Sequence, residues 1–442
     1  MTIDLNAGAL APVTDEVDAV DLRMTGAIPR DLNGVLVRNG PNPLRGRFDG
    51  GGVLSWWPED AMLHAITFGD GRATRYRNRW ARTQRWARVY DPARAPLLVD
   101  TNPNVSVLAH AGEILALAEG GAPLAITAGL DSIGAARRHP GLARGMAAHP
   151  KVDPQTGELI AFRADWNQPW LRYGVANAAG VQTVDAEIAL PAPSMMHDIA
   201  ITATHSIVFD LNVAYDFSML SRGHRMPLRW HDERRARIGV VPRRGGDVRW
   251  FDVAPCFIQH VVNAYDIDCP AIVLDVVRYP WFLRVARDGR GFDANPVGVL
   301  WRYTIDLVAG TVAEQPLDDA GIELPRINES RTGRRHRFLY AAEQPTHVEL
   351  RGVVRYDVDG GSTQRYRVPP GDQNSEPVFV PRPGAIDEDD GWLLACVYRH
   401  ATDTSDVVIL DGRSIDDGPI ATVHLPRRIP AGFHGAWLPG NG

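Results

Sequence analysis

The sequence predicts an all-β fold, and three observations carry that prediction. Short apolar runs of about five to eight residues recur along the chain, each ended by glycine, proline, asparagine or aspartate. The 442 residues include 33 prolines and 42 glycines, breakers in numbers that long helices do not tolerate. Apolar spacing of the helical kind is rarely sustained over about 11 residues. Residues 122–148 are the one place where a short helix is expected.

Taken in order, residues 1–20 mix polar and small side chains and are expected to form a loose lead-in. Residues 26–41 then give a turn, an apolar strand and a second turn. Residues 62–68 read as a strand before Gly69-Asp70-Gly71, residues 114–118 as one before Glu119-Gly120-Gly121, and residues 407–410 as one before Asp411-Gly412. No tight repeat is visible. A single domain over residues 1–442 is expected, since β folds built of successive sheets run longer than the usual domain.

Composition narrows the function classes. At 45% hydrophobic and 23% charged residues the chain has the make-up of a soluble globular protein. Its formal charge of −6 argues against a nucleic-acid binder, and Lys151 is its only lysine, so chemistry needing a Schiff-base lysine has one candidate. Cys256, Cys269 and Cys396 form no CxxC pair and leave an odd thiol, which suits a reducing cytoplasm. The beginning has no basic region followed by an apolar run, and no run approaches the roughly 18 apolar residues of a membrane span, so the protein is expected in the cytosol.

The chemistry is carried by histidine. Pro150, Pro154 and the turn Asp153-Pro154-Gln155-Thr156-Gly157 fix the backbone just after His149, which is expected at a strand end. His197 in Met195-Met196-His197-Asp198-Ile199, His260 in Phe257-Ile258-Gln259-His260-Val261-Val262 and His434 in Gly432-Phe433-His434-Gly435-Ala436-Trp437 share apolar or small surroundings of strand-like composition. Burying an unpaired imidazole there is costly, and a shared metal removes the cost. Nitrogen ligands alone suit zinc, copper, nickel or iron. The intervals of 48, 63 and 174 residues fit one, one and about three four-stranded blades of roughly 40 to 60 residues.

These four segments, with Arg38-Asn39-Gly40-Pro41-Asn42-Pro43 and Glu376-Pro377-Val378-Phe379-Val380-Pro381-Arg382, resemble the carotenoid cleavage oxygenase family over nearly the whole chain. The resemblance implies a seven-bladed β-propeller with capping loops and short helices over the metal-bearing face. It also implies Fe(II) held by His149, His197, His260 and His434, with dioxygen as co-substrate and an apolar alkene as substrate. Glu119, Glu323 and Glu376 match the glutamates that orient the histidines in that family, and each lies in an otherwise apolar segment, where an unpaired carboxylate would be expensive. By the same resemblance they act on His197, His260 and His434, in an order the sequence leaves open.

Two departures bear on the pocket beside the metal. Where many relatives have a threonine lining the iron this chain has Val105, which keeps the β-branched shape without the hydroxyl. Where bacterial lignostilbene cleavers place a phenol-binding lysine this chain has Ala118, which weighs against a stilbene substrate. His64 matches a recurrent family position but not a ligand position and is expected to be structural. The acidic run Asp387-Glu388-Asp389-Asp390-Gly391 is expected to be a turn before a strand and not a calcium loop.

The aromatic stock, including Trp56, Trp57, Trp80, Trp86, Trp166, Trp170, Tyr215 and Phe217, suits either a tunnel lining or propeller core. Met219-Leu220 and Trp281-Phe282-Leu283 are candidates for a tunnel mouth or a weak peripheral membrane contact. The expected function is oxidative cleavage of a carotenoid or apocarotenoid double bond into two carbonyls. Its rivals are cleavage of a stilbene or phenylpropenoid, the isomerase activity of one family branch, and a ligand-binding propeller without turnover.

Overall fold

The computed structural model describes residues 4–440 apart from 50–52, 143, 166, 225, 269 and 288–291. Trp166 and Cys269 therefore lie outside the described residues. The chain is all-β, of the seven-bladed β-propeller class, and its contacts divide it into two compact units.

The first unit comprises residues 1–145, 340–342 and 350–442. Its N-terminal sheet is completed by the last strand of the chain, since Gly435–Pro439 pairs antiparallel with Gly34–Pro41. Strand Arg23–Gly26 in turn joins Pro419–His424 in the sheet of the late strands Gly391–Arg399 and Thr404–Asp411. A sheet of Ser106–His110, Glu113–Leu117, Leu124–Ile126 and Ser132–Ala135 and a hairpin of Gly352–Asp357 with Ser362–Arg367 complete this unit. The second unit comprises residues 146–339 and 343–349. Among the described residues it holds three larger sheets, running from Lys151–Val152 to Gln182–Ala189, from Ala200–Ile201 to Arg249–Val253, and from Phe257–Ile267 to Thr311–Arg326, and a two-stranded one of Val213–Tyr215 with Leu228–Trp230. One apolar cluster from Ala147 to Ile305 forms its core, with Tyr303, Phe209 and Phe251 among the bulkiest members.

The turn chemistry read from the sequence holds. At Gly69-Asp70-Gly71 the hairpin reverses with Asp70 and Gly71 both at positive φ, 51° and 73°, the geometry aspartate and glycine adopt most cheaply.

Two expectations fail. Residues 122–148 contain no α-helix among the described residues. Strands Leu124–Ile126 and Ser132–Ala135 and a single 3-10 turn at Pro140–Leu142 occupy them, because Gly129 and Gly134 interrupt any helix and strand pairing takes the short apolar runs. The longest α-helix described is Gln84–Tyr90, started by Thr83, whose hydroxyl accepts from the Trp86 N–H. The lead-in is also packed and not loose: Leu5, Ala9 and Val13 are buried, and the Asn42 side chain pairs with both the N–H and the carbonyl of Val13.

The acidic run is a turn whose charges are spent on arginine. Asp387 meets Arg413 at 2.7 Å, Asp389 meets Arg355 at 2.6 Å and Asp390 meets Arg382 at 2.7 Å. Met219, Phe282 and Leu283 are buried, with Phe282 stacked 5.0 Å from Phe257, so of the suggested surface groups Leu220 and its neighbour Phe217 are the exposed ones. Cys256 and Cys396 are buried free thiols. Among the described residues no helix is long and apolar enough to cross a membrane.

Candidate metal site

In the second unit three of the predicted histidines meet. The Nε2 atoms of His149 and His197 are 3.1 Å apart, and the three imidazoles of His149, His197 and His260 have centroids 4.5, 5.1 and 5.1 Å from one another, all edge to face. His149 and His260 are buried and His197 is partly so. A cation shared among the rings satisfies three neutral imidazoles at once, so this donor set fits a divalent metal with nitrogen preference.

The backbone explains how they converge. His149 precedes its strand instead of ending one: Pro150 has no N–H to give a ladder, so pairing begins only at Lys151–Val152. The predicted turn follows, with the Gly157 N–H on the Asp153 carbonyl at 2.8 Å and the Gln155 N–H on Asp153 Oδ1 at 2.9 Å. His197 lies in irregular backbone just before Ala200–Ile201. His260 is in a strand, but at a β-bulge: pairing runs Ile258 with Arg278 and then Val261 with Val276, so Gln259 and His260 face one residue of the partner. A bulge turns a side chain away from the regular alternation, which is how a strand residue is re-aimed.

Each of two histidines has its outer nitrogen held by a predicted glutamate. His260 Nδ1 is 2.5 Å from Glu323 Oε2, which also accepts the Leu324 N–H at 2.6 Å, while Tyr279 donates its hydroxyl to Glu323 Oε1 at 2.7 Å. Burial would raise the Glu323 carboxyl. The charge and hydrogen bond of His260, with those from Tyr279 and Leu324, outweigh it and hold the group below its ordinary 4.5. Burial and then the Glu323 charge push Tyr279 far up, so its proton stays in place as the donor. This leaves Nε2 as the ligating nitrogen of His260.

The first unit repeats the device. His434 Nδ1 is 2.9 Å from Glu376 Oε1, and the neighbouring Gly435 N–H donates to Glu376 Oε2 at 2.7 Å. The Arg38-Asn39-Gly40 motif positions this histidine. The Asn39 N–H donates to the His434 carbonyl and the Phe433 N–H to the Asn39 carbonyl, at 2.9 and 3.0 Å. A Cβ on Gly40 would stand 2.6 Å from the Gly432 Cα, so only glycine permits this approach. Asn39 Nδ2 also donates to the Pro103 and Ser106 carbonyls, fixing the segment of Val105, whose own carbonyl accepts the His434 N–H at 3.1 Å. Val105 and Ala118 are both buried.

Burial separates the three glutamates. Glu323 and Glu376 are 4% and 3% exposed, but Glu119, at the turn after Glu113–Leu117, is exposed, so the apolar surroundings inferred for it do not hold. Tyr279 and Asn39 were not read as site residues. Asn39 lies inside the Arg38-Asn39-Gly40 motif, while Tyr279 carries no local signal.

His64 is structural, as expected. It is buried, with Nδ1 3.0 Å from the Tyr76 hydroxyl, and burial, followed by the charge of Arg38, pushes its imidazole down to about 3. The unfolded chain takes up a proton near 6.5 that the fold refuses. The stability from neutral His64 is therefore complete above pH 6.5 and is lost as pH falls toward about 3. His64→Gln is expected to lose about 2 kcal/mol less than the parent between pH 7 and pH 5, read by urea denaturation at the two values.

Comparisons with known proteins bear on the chain as a whole. The family model described as retinal pigment epithelial membrane protein matches residues 10–439. A carotenoid cleavage oxygenase of Mycobacterium tuberculosis is 36% identical, covering 98% of this chain and 97% of its own. Among solved structures, cobalt-substituted Synechocystis ACO superposes with a TM-score of 0.86 at 28% identity, with 97% of each chain covered. The lignostilbene dioxygenase of Pseudomonas brassicacearum superposes at 0.87 with 26% identity and 99% of each chain. Matched over nearly its whole length in sequence and in fold, the chain belongs to the carotenoid cleavage oxygenase family and is a dioxygenase of that class.

Proposed function

We propose that the protein is a non-haem Fe(II)-dependent dioxygenase that splits a C=C bond of an apolar polyene, a carotenoid or apocarotenoid, into two carbonyl products. The observation that carries the reading is the convergence of His149, His197 and His260, with the far nitrogen of His260 held by a buried carboxylate. His434, oriented in the same manner by Glu376, is the fourth ligand in this proposal, and each of the four offers one ring nitrogen. Glu119 is proposed as the third orienting glutamate. On this reading residues 1–442 act as one propeller domain.

Bound there, Fe(II) supplies the activation of dioxygen. The chain supplies the rest. Glu323 and Glu376 keep the Nδ1 protons of their histidines and so fix the tautomer. Val105 and Ala118 present carbon and no polar group, which suits an apolar alkene. Both oxygens of O2 enter the products, one in each carbonyl, so the reaction balances without a reductant.

A second reading, cleavage of a stilbene or phenylpropenoid, is favoured by the likeness to the lignostilbene dioxygenase. Against it, Ala118 offers no cation for a phenolate, and the only lysine is committed to Asp198 at 2.7 Å. Protein purified without oxygen is expected to hold about one iron per chain. In labelled dioxygen it is expected to convert an apocarotenal into two labelled carbonyls and to leave a hydroxystilbene intact. Cleavage of the stilbene alone would replace the first reading by the second, and absence of bound iron would sink both.

A further inference from the structure

Asp198 follows His197 and is 2% exposed, yet no part of the reaction needs it. Its carboxylate is fully engaged. Oδ1 accepts the Lys151 ammonium at 2.7 Å and the Ile199 N–H at 2.7 Å, and Oδ2 accepts the Val261 N–H at 2.8 Å. Lys151 stands two residues after His149, and Val261 directly follows His260 at the bulge. One buried carboxylate thus ties together three segments far apart in sequence, each within two residues of a histidine of the converging set.

We propose that Asp198, clamped by the chain's only lysine, is a positioning residue that holds the segments of His149, His197 and His260 at the spacing of the metal site. The inference rests on the metal-site reading above. A carboxylate has acceptors for all three donors, whereas an amide has one acceptor oxygen and would turn N–H groups toward a donor. Asp198→Asn therefore releases at least one of the three segments and leaves the Lys151 ammonium without its counter-charge. Lys151→Met removes the ammonium and leaves Asp198 as a buried charge held by two backbone N–H groups. Lys151→Arg keeps a cation in reach.

The test uses the full-length protein stripped of metal and titrated with Co(II), whose visible absorption reports ligand geometry apart from turnover. Asp198→Asn and Lys151→Met are expected to weaken Co(II) binding by about 10- to 100-fold, the range found when partners outside the ligand shell are lost, and to alter the spectrum. Lys151→Arg is expected to restore most of the affinity. Asp210→Asn, at a buried carboxylate of the same unit paired with Arg234 and Arg237, controls for general destabilisation and is expected to bind Co(II) as the parent does. Parental affinity and spectrum in folded Asp198→Asn, or equal weakening in Asp210→Asn, would overturn the positioning role alone. Failure of the parent itself to bind Co(II) would overturn the metal site and this inference with it. Should Asp198→Asn not fold, the Lys151 pair decides the question by the same titration.

Discussion

His260→Ala is expected to abolish both metal binding and turnover. The imidazole is held at Nδ1 by Glu323, and that carboxylate is locked by the Leu324 N–H and the Tyr279 hydroxyl. The bulge at residues 258–261 aims this one position at the site. Loss of a partner outside the ligand shell costs a metal site about 10- to 100-fold, so loss of a ligand is expected to exceed about 100-fold in activity. A stability readout separates this from misfolding. Metal at about a hundred times its dissociation constant should stabilise the parent by about 2.7 kcal/mol and the variant not at all. A variant that kept its iron and cleaved the polyene would remove His260 from the site. Glu323 supplies a second signature: it loses the partner that favours its charged form, so the variant's acid limb should be altered as well as its metal affinity.

Much of this site was legible in the sequence, and what was not has a common physical cause. Histidine, proline and glycine act locally: Pro150 and Gly157 shape the chain around His149. Pairing is not local. Glu323 and His260 are 63 residues apart and Glu376 and His434 are 58, so the residue types could be chosen but not matched. Asp198 shows the limit most clearly. It stands beside His197, yet it reads as an ordinary acidic neighbour because its partners lie 47 and 63 residues away. Glu119 shows the opposite failure, since apolar neighbours in sequence did not mean burial in the fold. The helix expected over residues 122–148 fails for the reason strands usually escape detection: three- and four-residue pieces gain their stability from the sheet they join and carry little pattern of their own.

The turn after His149 shows how far such a non-local partner can matter, and Arg243→Met is expected to give the largest loss of stability. Asp153 was read as the first residue of a proline turn, and it is one, but it is also completely buried. Burial would raise its carboxyl. Arg243, with the Gln155 N–H and the charge of Arg334, overcomes that and holds it below the ordinary 3.8, so its stabilisation is present above that value and is lost as pH falls through the lower folded one. Arg243 sits 90 residues away, bonded to Asp153 and, at 2.5 Å, to Glu158. Without it Glu158 can turn to solvent, whereas Asp153 cannot and retains the Gln155 N–H at 2.9 Å and Arg334 at 3.5 Å, with no closer cation. Stranding a buried charge in this way costs about 3–5 kcal/mol, which should appear as a lower urea midpoint with an unchanged slope. Adding Asp153→Asn removes the stranded charge, so the double variant is expected to be more stable than Arg243→Met alone. A loss below about 1 kcal/mol for Arg243→Met would mean that Arg334 or solvent already carries the charge, and that the turn holds His149 through its prolines and backbone hydrogen bonds.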